Sequence, residues 1–188
     1  MSMLTLRHLF FAKKAINYVN NTVRVVSSNQ IPETPELHQH RKTAAEGIDY
    51  LRELVSIETE INLEKSHIRN DAPNINEECY RRYIPISSAY ATEFHIGNCG
   101  EKAAIAFAHL KLIGIKPLDF FSVNVDDKGD DYHAIVVIGR TTGRCLEPLT
   151  WNREAVICDP WDKKAYPAHL YPDKAAFKGT LQLRYRYG

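Results

Sequence analysis

The amino-acid sequence predicts an α+β fold in one domain over residues 1–188, with helices first and a mostly antiparallel sheet after them. Three observations carry that prediction. Apolar residues recur at helical spacing through residues 5–19 and 35–68; a further apolar helix starts at Cys99; and the last third of the chain holds short β-rich runs separated by turn residues. A chain of 188 residues can bury about 70% of the surface its unfolded form exposes, so neither a metal nor a disulfide is needed to hold its core.

Residues 1–34 read as a basic N-terminal helix and a linker. Arg7, Lys13, Lys14 and Arg24 stand without an acid as far as Ile31, interleaved with Leu4, Leu9, Phe10, Phe11, Ile16 and Val19, and Asn20 and Asn21 mark a stop. The apolar stretch at Leu9, Phe10 and Phe11 is too short for a secretory signal. A helix that packs on its own domain is the preferred reading over a membrane-surface or targeting segment. Pro32 and Pro35 then punctuate a polar linker.

Residues 35–90 read as a helical lobe with loops. Ile48, Leu51, Leu54, Val55, Glu58 and Ile61 suggest one stripe of a long helix, or of two helices broken at Gly47. Residues 70–76 and 85–88 look irregular and lead without periodicity to Gly97. Residues 91–188 hold the Cys99 helix, closed by Gly114 and Pro117, and then the sheet. Its strands are expected at 120–125, 132–139, 154–158 and 181–187, with an acidic hairpin turn at 126–131.

Composition narrows function. With 24 basic against 23 acidic side chains, interspersed, the chain lacks the positive field that a nucleic-acid partner requires. No apolar run approaches the roughly 18 residues of a membrane span. Cys79, Cys99, Cys145 and Cys158 contain no C-x-x-C pair and read as reduced thiols of a cytosol-like compartment, although an even count also permits two disulfides in an oxidising one. No phosphate-binding glycine motif is present, and the 126–131 turn lacks the downstream glutamate of a calcium loop. A zinc site from Cys99, His133, Cys158 and Asp159 is disfavoured, because strand neighbours Cys158 and Asp159 point to opposite faces. The sequence therefore implies no metal and no cofactor.

Three reactive residues stand where elements begin or end. Cys99 follows the turn-forming Gly97 and Asn98 and opens an apolar helix, whose first N–H groups favour a thiolate and can donate to an oxyanion. His133 is a polar ring at the start of an apolar strand, placed to exchange a proton with the thiol. Asp159 closes the following strand ahead of Pro160 and Trp161, where it can orient the imidazole. Taken singly, each has a structural reading: a buried small hydrophobe, a hydrogen-bonded strand histidine, a turn former. Their order in the chain favours the catalytic one. His95 is a second, less favoured base, because a loop holds a ring less rigidly than a strand does.

The local patterns Gly97-Asn98-Cys99-Gly100-Glu101, Tyr132-His133-Ala134 and Cys158-Asp159-Pro160-Trp161 resemble the papain-like cysteine hydrolase superfamily. Within it they are most similar to compact bacterial secreted effectors, the YopT-type proteases and the glutamine deamidases. The resemblance covers roughly residues 92–161 and implies Cys99 as nucleophile, His133 as base and Asp159 as orienting acid, on a nucleophile-bearing helix packed against the sheet. It further implies a protein substrate, a host protein in the effector members, and a bacterial protein delivered into a host cell. One departure is visible. The family's oxyanion glutamine ahead of the nucleophile has no counterpart among Thr92, Glu93, Phe94 and His95, which leaves Asn98 or Thr92 as substitutes. Trp161 either walls the site or packs. Protease, deamidase and transglutaminase share every one of these residues. The rival from another class is a non-catalytic protein-binding module, either a degenerate papain-like domain or another α+β domain whose long helix of residues 35–68 supplies the interaction face.

Overall fold

The computed structural model describes residues 1–126 and 131–188. Among them are five α-helices, α1 (Met3–Asn17), α2 (His38–Lys65), α3 (Ile75–Phe94), α4 (Cys99–Leu112) and α5 (Tyr171–Lys174). The strands are β1 (Leu118–Asn124), β2 (Tyr132–Ile138), β3 (Val156–Asp159), β4 (Lys164–Pro167) and β5 (Thr180–Tyr187). They form one antiparallel sheet in the order β4-β3-β2-β1-β5, so the expected α+β class is observed.

α4 lies at the centre. Ala103, Ala104, Ile105, Ala106, Phe107 and Leu110 are all buried, because the helix is covered by α1 and α3 as well as by the sheet. Alanine on several sides lets those neighbours approach closely, which explains why this stretch is apolar without a single stripe. The face of the sheet towards α4 contributes Leu118, Phe120, Ala134, Val136, Ile138 and Cys158. The opposite face, with Phe121, Val123, Ile135, Val137 and Ile157, is closed by Trp151, Tyr171 and the connections around them.

One open choice is settled and two expectations require correction. α2 runs unbroken through Gly47, whose bare Cα admits the Ile96 side chain; a Cβ there would stand 2.8 Å from Ile96 Cδ1. The buried stripe of α2 runs Ala44, Ile48, Leu51, Val55, Thr59 and Leu63, while Ile61 faces solvent. At 100° per residue Ile61 falls about 140° from Ile48, which the expected stripe overlooked. The supposedly irregular stretch around residues 85–88 is the middle of the 20-residue α3, with Pro85 inside it. Proline there forfeits one backbone bond, but Ile84, Ser87 and Ala91 bury against α2 and α4, and that packing outweighs the local preference.

β4 was not expected, and it forms the edge of the sheet beside β3. The β1 and β2 arms pair in the expected hairpin, with Val123 opposite His133, whereas residues 127–130 of its acidic turn lie outside the described residues. The N-terminal helix packs on its own domain as expected: Thr5, His8, Ala12, Ala15 and Ile16 are buried, against β3, β4 and α4. Among the described residues no helix is long and apolar enough to cross a membrane.

Candidate active site

Cys99 is the first residue of α4. Its position is fixed by the cap: Glu101 Oε1 accepts the Asn98 N–H at 3.0 Å and closes a capping box. Glu101 is itself almost fully buried, and Arg52 of α2 holds it through two bonds, Nη2 to Oε1 at 2.9 Å and Nε to Oε2 at 3.2 Å. Tying the cap to a second helix leaves the start of α4 little freedom, and the N–H groups of its first turn remain without intrahelical partners. The Cys99 thiol is half-buried and lies 3.6 Å from the Tyr132 carbonyl oxygen, at the start of β2.

His133 is the second residue of β2, at the same end of the sheet. Continuing the register that pairs Val136 with Cys158 sets Asp159 opposite Ile135, two residues from His133 and therefore on its face. The ring uses that placement: His133 Nε2 is 2.6 Å from Asp159 Oδ2, with both residues buried. With Nε2 taken by Asp159, Nδ1 is the ring nitrogen left for another partner, and Cys99 lines the same cleft as His133 and acts on its ring electrostatically. Asp159 keeps its orientation because Oδ1 accepts the Asp162 N–H at 3.0 Å, a turn that reverses the chain into β4 with Lys163 in the left-handed region.

Burial works against a charged imidazole here. The hydrogen bonds and charges of Asp159 and Cys99 outweigh it and push His133 up from 6.5 to about 9. The raised value favours the charged ring near neutral pH, with the Asp159 carboxylate as its counter-charge.

The remaining predicted residues divide. Trp161 packs on the His133 ring, with centroids 5.6 Å apart, and Phe177 packs there too at 4.9 Å, neither of them lining the cleft beside Cys99. Trp161 is held by its Nε1–H, which donates to Asn29 Oδ1 at 2.9 Å, and by its carbonyl, which accepts from Gln30 Nε2 at 2.8 Å. The Asn98 side chain is engaged at the cap and with Ser28, donating to Ser28 Oγ at 3.2 Å. Thr92 sits in the last turn of α3 and does not line the cleft. His95 caps α3 with φ 58° and binds the Val23 carbonyl through Nδ1 at 2.7 Å, so it has a structural task away from the cleft. Cys158 and Asp159 do face opposite ways, since the Cys158 thiol meets the Ala12 carbonyl of α1.

Sequence reasoning missed the polar segment of residues 27–30. A parallel bridge between Val26 and Ile96 delivers it beside the Gly97-Asn98-Cys99 turn, where Ser27 Oγ donates to the Gly97 carbonyl at 2.7 Å. Seventy residues separate the two partners, and no local pattern signals such a pairing. Phe177 was missed for the same reason. A cleft of about 810 Å³ opens from Cys99 and His133 between α2, α3 and the sheet, walled by Tyr80, Tyr83 and Phe120, with Arg52 and Arg184 on its sides.

Among the described residues no cluster of three or more His, Cys, Asp or Glu side chains is arranged to hold a metal. No protein-family model matches the sequence, and no curated protein matches it.

Proposed function

We propose that this protein is a thiol-dependent amide hydrolase of papain-like type, acting on a protein substrate. The observation that carries the reading is the His133 imidazole bonded to the buried Asp159 carboxylate at 2.6 Å, in one cleft with the thiol that opens helix α4. A ring so held is a proton partner for the thiol, which is what sulfur needs to attack an amide.

The steps balance within these residues. The Cys99 thiolate adds to the amide carbonyl carbon, and the oxyanion is met by the free N–H groups at the start of α4, those of Cys99 and Gly100. The His133 imidazolium passes its Nδ1 proton to the leaving nitrogen as the C–N bond breaks, leaving a thioester on Cys99. Water then attacks the thioester carbonyl, His133 takes one proton from it, the C–S bond breaks, and the carboxylic acid product departs from a restored thiolate–imidazolium pair, losing its remaining proton to solvent. Asp159 holds the ring and stabilises its charge throughout. Trp161 and Phe177 screen the His133–Asp159 bond from water, which strengthens it.

The cleft supports a polypeptide substrate. It has aromatic walls, two guanidinium groups and, in Thr59 Oγ1, a buried hydroxyl with no partner among the described residues. The test is incubation of the reduced protein with a panel of polypeptides, read in parallel for new N-termini and for released ammonia. Product of either kind from the wild type and none from Cys99→Ala or His133→Ala is the expected outcome. New N-termini indicate a protease, and ammonia indicates a glutamine deamidase. Equal product from Cys99→Ala would overturn the proposal.

A further inference from the structure

α1 has two apolar sides, and the fold uses one. Thr5, His8, Ala12, Ala15 and Ile16 face the domain. On the side turned away from it, Met3, Leu6 and Phe10 follow one another at i, i+3 and i+7, and remain 81%, 48% and 57% exposed. At 100° per residue these three fall within about 60° of one another, so they form one ridge. Met1 and Leu4 extend the exposed apolar surface at the same end. Single exposed apolar residues are ordinary, but a contiguous ridge of this kind marks a contact surface.

The charges around the ridge select its partner. Arg7 and Lys14 flank it on one side, each resting over a phenylalanine, Lys14 Nζ at 5.4 Å from the Phe10 ring and the Arg7 guanidinium at 5.8 Å from that of Phe11. Lys13 flanks it on the other side and opens onto a groove of about 560 Å³ that also holds Lys163, Lys164 and Lys174. Asp173 is the acid lining that groove, and the nearby Asp162 pairs with Lys164 at 3.3 Å. α1 itself contains no acid. A second copy docked on the same ridge would set Arg7, Lys13 and Lys14 against their own counterparts, which disfavours self-association. A flat anionic surface with an apolar interior satisfies both the ridge and its cationic rim.

We infer that α1 is a peripheral docking helix for an anionic lipid bilayer, lying in the interface plane with Met3, Leu6 and Phe10 inserted among the acyl chains and Arg7, Lys13 and Lys14 at the headgroups. The inference stands apart from the chemistry at Cys99, and its test needs no turnover.

The whole chain is floated with vesicles of phosphatidylcholine alone and with vesicles containing about 30% phosphatidylserine. Flotation with the second and not the first, weakening as salt is raised, is expected. Lys13→Gln with Lys14→Gln weakens it about 25-fold, at about fivefold per charge. Phe10→Asp abolishes it while the thermal midpoint stays unchanged, and Met3→Ser with Leu6→Ser serves as the second variant if Phe10→Asp fails to fold. No flotation with phosphatidylserine vesicles, undiminished flotation of a folded ridge variant, or a dimer that the ridge variants dissociate would each overturn the inference.

Discussion

Asp159→Asn perturbs the pair with almost no change of shape. In the wild type, one carboxylate oxygen accepts from His133 Nε2 and the other from the Asp162 N–H, so both must be acceptors. An asparagine has one acceptor, and its NH2 must face either the ring or the backbone donor. Losing the charge leaves burial opposed only by Cys99, and the His133 midpoint falls from about 9 towards its ordinary value. The energy at stake is on the order of 3 kcal/mol, from the difference between 6.5 and about 9 at 1.36 kcal/mol per unit. Because the folded value is raised, that stability is fully present below pH 6.5 and is lost as pH rises through about 9. Two readouts follow. The His133 ring proton, titrated by NMR, reports the midpoint, and denaturant unfolding reports how stability falls between these two limits. A midpoint near 9 retained in Asp159→Asn, with the same loss of stability towards high pH, would refute the reasoning.

Asp119 is fully buried and holds Arg140 Nε at 2.8 Å and Arg186 Nε at 2.7 Å, so Asp119→Ala strands two guanidinium groups and should cost about 3–5 kcal/mol in urea unfolding. Gly139 has φ 76° and a Cβ there would stand 2.2 Å from His8 Cε1, so Gly139→Ala should destabilise by about 2 kcal/mol or more and loosen α1 from β3. Pro85→Ala restores a helix bond on an exposed position of α3 and should stabilise by up to about 3 kcal/mol; a loss of stability would show that the proline ring packs productively. Cys99→Ala removes a half-buried thiol with one long hydrogen bond, so it should change stability by less than about 1 kcal/mol while lowering the His133 midpoint.

What the sequence reveals of this molecule depends on how far apart the interacting residues lie. α4 and the β1–β2 pairing were legible because cap, turn and alternation are local signals, and Cys99, His133 and Asp159 stood out because each breaks the character of the element it ends or begins. α3 was hidden by Pro85, a strong local signal that long-range packing against α2 and α4 overrides. The structural roles of His95, Ser27 and Ser28 depend on the Val26–Ile96 bridge, and the Phe177 contact depends on the return of the chain from α5 towards the site. Asn98, expected at the oxyanion, is drawn into the helix cap by Glu101 and Ser28, partners whose positions only the folded chain defines.

The account rests on Cys99 being activated by His133, and the rate of iodoacetamide alkylation at each thiol measures this most directly. Burial holds the Cys79 and Cys158 thiols above their ordinary range, and Cys158 is enclosed beneath α1. Near neutral pH Cys99 should therefore react at least about tenfold faster than Cys79, Cys145 and Cys158, and His133→Ala should remove most of that advantage. Equal labelling of the accessible thiols, or a Cys99 rate indifferent to His133→Ala, would contradict the account.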